Sequence, residues 1–135
     1  MGRTRTRAAT RQDARARAQS AAAYLVAAEL VLDEPDAAMP GVAAGVAVLA
    51  GIAASDAITA TRLQLIHRGD DHRSAADLLA QATPDGKKLA ATFKRLIDLK
   101  DEAHYGLTLV APRKARDAVR WAQILLERAN EELER

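Results

Sequence analysis

The sequence predicts an all-α protein, a mostly antiparallel four-helix bundle with one short extra helix. Three observations carry that expectation. Alanine, leucine and arginine dominate while aromatics make up 3% of the chain, a composition that favours helices. Apolar residues recur at helical spacing in long segments, and the branched and aromatic residues never cluster with period two, so no strand is expected. Proline, glycine and aspartate fall between those segments, where helices start and stop.

Residues 1–11 carry charges and no apolar anchor, and read as a flexible basic arm. Residues 12–135 then form one helical domain. The first helix begins near Arg11 to Asp13, on a stripe of Ala21, Leu25, Ala28 and Leu32. Asp33-Glu34-Pro35-Asp36 ends it, because a proline biases the residue before it away from helix. The second helix is expected from about Ala38 to Arg68, with Pro40 in its first turn and Gly69 at its end. Its inward stripe reads Val42, Val46, Leu49, Ile52, Asp56, Ala60, Leu63 and Ile66 or His67. Glycines and alanines cover much of its first half and allow a neighbour to approach closely.

Asp70 or Asp71 can cap a shorter helix over Asp71 to Ala82, with Leu78 and Leu79 inward. Thr83-Pro84-Asp85 is a start signal for the next, which is expected to run to about Tyr105 on Leu89, Phe93, Leu96, Lys100 and Ala103. Pro112 opens the last helix. Its stripe is Ala115, Ala118, Val119, Ala122, Leu125, Leu126, Ala129 and Leu133, and its charged end from Glu127 is expected to fray.

Charge and composition bound the function. The formal charge of +2 conceals an asymmetry: residues 1–18 hold six arginines against Asp13, which is +5 and leaves −3 for the rest. There is no cysteine, hence no disulfide framework, thiolate metal site or cysteine nucleophile. His67, His72 and His104 form no metal-ligand motif, and neither a glycine-rich phosphate loop nor a serine elbow is present. No cofactor is implied. The start has no signal-peptide core, and the apolar run Val42 to Ala54 reads as too short for a bilayer. A soluble cytoplasmic protein without a membrane partner is expected.

Chemistry-bearing residues concentrate in Leu99-Lys100-Asp101-Glu102-Ala103-His104-Tyr105-Gly106. Lys100 and His104 are four apart and share a helix face. A cation there can steady a phosphate while an imidazole moves a proton. Tyr105 can donate to phosphate, stack on a base, or simply pack. Asp56 interrupts the apolar stripe of the second helix. A buried carboxylate needs a partner: a pocket ligand, Lys100 across the bundle, an arginine such as Arg62, or solvent if the helix is turned. His72 and Arg73 sit at a helix start, where anions are attracted. The arginine arm can follow nucleic-acid phosphates, or remain solvated.

Three segments resemble the HEPN superfamily (higher eukaryotes and prokaryotes nucleotide-binding), in particular its small actinobacterial members. They are Ala54-Ser55-Asp56-Ala57-Ile58, then Arg68-Gly69-Asp70-Asp71-His72-Arg73 with Ala76-Asp77-Leu78-Leu79, and Leu96-Ile97-Asp98 running into the Leu99–Gly106 segment. The resemblance covers roughly residues 18–130. It implies a helical bundle that forms a homodimer and binds a nucleotide or RNA, in some members as a metal-independent endoribonuclease of a toxin–antitoxin or defence system. Lys100 stands at the position of the family's arginine, Asp101 at its polar residue and His104 at its histidine, with three residues between Lys100 and His104 where the family has more. The implied catalytic residues are Lys100, stabilising the phosphorane, and His104, moving the 2′-hydroxyl proton. The implied substrate-binding residues are Asp56, His72, Arg73 and Tyr105. Two alternatives stand beside this. One is a non-catalytic dimeric interaction module with a cognate protein partner such as a nucleotidyltransferase. The other is a scaffold that binds nucleic acid through its basic arm.

Overall fold

The computed structural model describes residues 5–135 and is mainly helical. Its elements are β1 (Thr6–Ala8), α1 (Arg11–Leu32), α2 (Met39–Leu63), β2 (Leu65–His67), α3 (His72–Ala82), α4 (Gly86–Ile97), α5 (Lys100–Tyr105) and α6 (Pro112–Glu134). Helix α2 lies at the centre and packs chiefly against α1 and α6, with α3 and α4 paired beside it. The core gathers around Phe93, Ile58, Leu79, Leu96 and Leu125.

Local chemistry sets each helix boundary. Thr10 caps α1 in a reciprocal box: its Oγ1 accepts from the Asp13 N–H at 3.0 Å, and its own N–H donates to the Asp13 carboxylate at 2.8 Å. Asp71 caps α3 by accepting from the N–H groups of Arg73 and Ser74. The stripe of α6 is buried as its periodicity predicts, from Ala115 to Ala129.

The face of α2 that enters the core differs from the expected one. Val42 and Leu49 are 48% and 39% exposed, while Ala43, Ala44, Ala47, Ala50, Ala53, Ala54 and Ala57 are buried. Large apolar residues do not win the interior here because the small ones let α1 and α6 come closer, which restores dense packing. Gly51 marks the tightest point. A Cβ there would overlap the Leu96 side chain, while meeting Leu125 at ordinary contact distance.

Helix α2 also stops earlier than expected. Gln64 adopts a left-handed conformation with φ 55°, and the chain leaves the helix there rather than at Gly69. The freed backbone of residues 65–67 needs partners, and the arm supplies them. β1 pairs antiparallel with β2 in the register Thr6↔His67, Arg7↔Ile66, Ala8↔Leu65. The Ala9 N–H donates to the Gln64 carbonyl at 2.9 Å and the Arg68 N–H to the Arg5 carbonyl at 2.8 Å. Residues 5–9 are therefore part of a two-stranded ribbon, not a flexible arm; residues 1–4 lie outside the described residues. Three-residue strands are too short to display a period of two, which is why no strand was legible.

Two further expectations are corrected. The helix expected to run unbroken to Tyr105 divides at residues 98–99, where the Leu99 N–H bonds the Leu96 carbonyl at 3.1 Å in a tightened last turn. α5 then departs to pack on α2. The end of α6 does not fray. Glu132 is 1% exposed and joins Arg62 of α2 at 3.2 Å and Arg128 at 2.7 Å; Arg128 in turn grips Asp85.

By length and composition α2 could cross a membrane, contrary to the expectation that its apolar run is too short. Yet 67% of its most apolar window is buried inside the protein, as in the core helix of a soluble domain.

Candidate functional site

Lys100, at the start of α5, reaches back to α3. Its Nζ lies 3.1 Å from His72 Nε2. An ammonium has only protons to give, so the ring nitrogen accepts and the imidazole is neutral with its proton on Nδ1. Partial burial holds the pKa of His72 below its ordinary value, and the charge of Lys100 lowers it further. Two sequence-predicted residues far apart in the chain are thus brought together by the departure of α5 from the line of α4.

His72 also lines a cleft of about 340 Å³ between α3 and the end of α4, with Arg73, Asp77, Lys94, Ile97 and Asp98. The cap formed by Asp71 already occupies the Arg73 and Ser74 N–H groups. An anion entering this cleft must therefore be held by side chains rather than by the helix start. Arg73, Lys94 and the adjoining Lys100 supply three cations against the carboxylates of Asp77 and Asp98. The balance of charge around the cleft is positive but mixed. Lys94, Asp77 and Asp98 were not singled out from the sequence. The one available signal was the spacing of four between Lys94 and Asp98 on a helix end.

The other expected site residues go elsewhere. Asp56 pairs with Arg17 of α1, whose Nε donates at 3.0 Å, and not with Lys100 or Arg62. Burial pushes the Asp56 carboxyl up to about 6, with Arg17 opposing. The pair borders a separate cleft of about 290 Å³ that Arg7, Asp13, Ile66, His67 and Arg68 also line. His104 lies over α2 at Gly45, where a Cβ would come within 2.7 Å of its Nε2. Tyr105 is 74% exposed and stands edge-on to the His104 ring, with centroids 6.0 Å apart. Neither lines the His72 cleft. Lys100 and His104 share a helix but serve different faces of the protein.

Among the described residues, no group of three or more histidines and carboxylates is arranged to hold a metal ion. No family model matches the chain, and no curated protein matches it significantly.

Proposed function

We propose that this chain is a HEPN-like domain that binds a nucleotide or the phosphates of RNA in the cleft of His72, Arg73 and Lys94, with Lys100 at its edge. In this reading α1, α2, α4 and α6 are the four principal members of a mostly antiparallel bundle, and the protein works in the cytoplasm, within a toxin–antitoxin or defence pair. The observation that carries the binding role is the bond between Lys100 and His72. It places a cation and a neutral imidazole beside a cleft that already holds Arg73 and Lys94. Such a set can bind phosphate through Lys100 and Arg73 while His72 Nδ1–H donates.

Binding without cleavage is the form of this reading that the geometry favours. Lys100 is engaged by His72, and His104 sits over Gly45 on α2, so the pair that would perform ribonuclease chemistry is not assembled within this chain. Calorimetric titration with nucleoside triphosphates and short single-stranded RNA tests the proposal. Binding should occur and weaken about tenfold or more in Lys100→Met and Arg73→Met, since each removes a charge-assisted contact of about 1.5–3 kcal/mol. Absence of binding at millimolar ligand would overturn it. RNA cleavage in EDTA that is lost in His104→Ala would restore the catalytic form.

A further inference from the structure

α5 is a six-residue helix with no buried residue. A helix that short is not stable alone, so contacts with the rest of the protein must hold it. At its first residue the Lys100 ammonium donates to His72 Nε2 of α3 at 3.1 Å. In its middle the Glu102 carboxylate accepts from Lys114 of α6 at 3.1 and 3.3 Å. Beneath it Ala103 packs on the core and the His104 ring rests at the Gly45 position of α2. Residues 106–109 are exposed, and the chain is next anchored at Val110, which is 4% exposed. Residues 100–109 are therefore a strap across α2, with two polar fastenings and little apolar burial.

The two fastenings differ in chemistry. Glu102 and Lys114 are opposite charges, and attract. The Lys100–His72 bond exists only while the imidazole is neutral, because an ammonium offers no lone pair and a protonated ring has none either. Protonation of His72 would leave two cations 3.1 Å apart with no acceptor between them.

The surroundings do not supply one. His72 faces His67 of β2, Asp70 and Asp71 of the turn before α3, and Lys100 of α5. Arg73 and Asp77 of α3, with Lys94 and Asp98 of α4, line the same cleft. Asp71 is engaged as the cap, accepting from the Arg73 and Ser74 N–H groups and the Ser74 hydroxyl. Among the described residues, no carboxylate forms an ion pair with His72 or Lys100. Partial burial and the charges of Lys100 and His67 hold the ring's pKa below the ordinary 6.5, with Asp70 and Asp71 opposing. The change of charge therefore falls on the acid side of that value.

We infer that α5 is a pH-sensitive strap, fastened to α3 by Lys100 on a neutral His72 and released at that end when His72 takes up a proton. Release moves Lys100 off the edge of the cleft and lifts His104 from α2, uncovering Gly45. It requires no ligand in the cleft.

The test is amide hydrogen exchange of the full chain by NMR, with rates corrected for the intrinsic effect of pH and the His72 ring followed in the same samples. The Ala103 and Gly106 N–H groups, which donate to the Leu99 and Glu102 carbonyls at 2.9 and 3.2 Å, report on α5. Their protection should fall about tenfold as the ring is protonated, since one charge-assisted bond is lost, while the centres of α2 and α6 keep theirs. In His72→Gln a carbonyl that does not titrate can still accept from Lys100, so protection should stay high at both ends of the range. In Lys100→Met it should be low throughout. Four results would overturn the strap: protection that does not change while the ring titrates, a fall that persists in His72→Gln, a ring that stays neutral down to about pH 4, or an α5 unprotected even at neutral pH.

Discussion

Lys100 Nζ lies 3.1 Å from His72 Nε2, a bond between the first residues of two helices that are 28 apart in sequence. It joins α5 to α3 across the end of α4 and, after burial, is a further cause that favours the neutral imidazole.

Replacing Lys100 with methionine should raise the pKa of His72 toward the ordinary 6.5, since the lysine charge is one of the causes that lower it. It should not reach that value, because burial is the larger cause and remains. Imidazole proton shifts read by NMR across pH 4–8 measure this. A His72 titration unchanged in Lys100→Met would mean the contact does not persist in solution. The linked stability has a definite sign. As pH falls below about 6.5 the unfolded chain takes up the proton first, so the share contributed by neutral His72 is lost on acidification.

Asp56 should titrate near 6, well above the ordinary 3.8, and Arg17→Met should move it higher still because Arg17 opposes the effect of burial. Carboxyl carbon shifts in labelled protein follow both changes. Here the linkage runs the other way. As pH falls through 6 toward 3.8 the folded state binds the proton first, so the protein gains stability from this group on acidification and loses it as pH rises through 6. A midpoint near 4 in the wild type would show that Asp56 is solvated.

Glu132→Ala should be among the most damaging single changes. It leaves Arg128, only 17% exposed, and Arg62 without their shared carboxylate. Breaking a buried pair costs about 3–5 kcal/mol, and the lower end applies because Arg62 is a third exposed. Thermal unfolding should fall by roughly 10 °C. A fall of only a few degrees would show that the end of α6 contributes little to the fold.

Gly51→Ala should destabilise by about 1–3 kcal/mol, although alanine is the better helix former, because its methyl group collides with the buried Leu96 side chain. Chemical denaturation measures it. A stabilised variant would mean that α2 is not held so closely.

Ala9→Pro removes the N–H that donates to the Gln64 carbonyl. Hydrogen exchange at residues 65–68 should accelerate while the centres of α2 and α6 keep their protection. Uniform acceleration would indicate that the ribbon is integral to global stability.

Much of the helical content was legible because capping and proline signals are local. Thr10 with Asp13, Asp71, and Pro112 each act within one turn, and each stands at the start of a helix. The ribbon was not legible, since β1 and β2 acquire their identity only from each other. The face of α2 was misjudged for a related reason. Size and hydrophobicity favoured Val42 and Leu49 as interior residues, but in a helix with neighbours on two sides the alanine face packs better. At the candidate site, the sequence singled out Lys100, His72 and Arg73 without showing that the first two meet, and it left the partner of Asp56 open among Lys100, an arginine such as Arg62, and solvent, where the structure has Arg17.

By itself, then, the sequence determined where α1, α3 and α6 begin, which residues carry charge, and that cysteine chemistry is excluded. These follow from single residues and their near neighbours. Tertiary structure alone decided which side of α2 is interior, that Lys100 meets His72 while His104 lies on Gly45, and that Arg17 neutralises Asp56. The reason is physical: such contacts join groups tens of residues apart, and their energies depend on distance and burial that arise only when the helices pack.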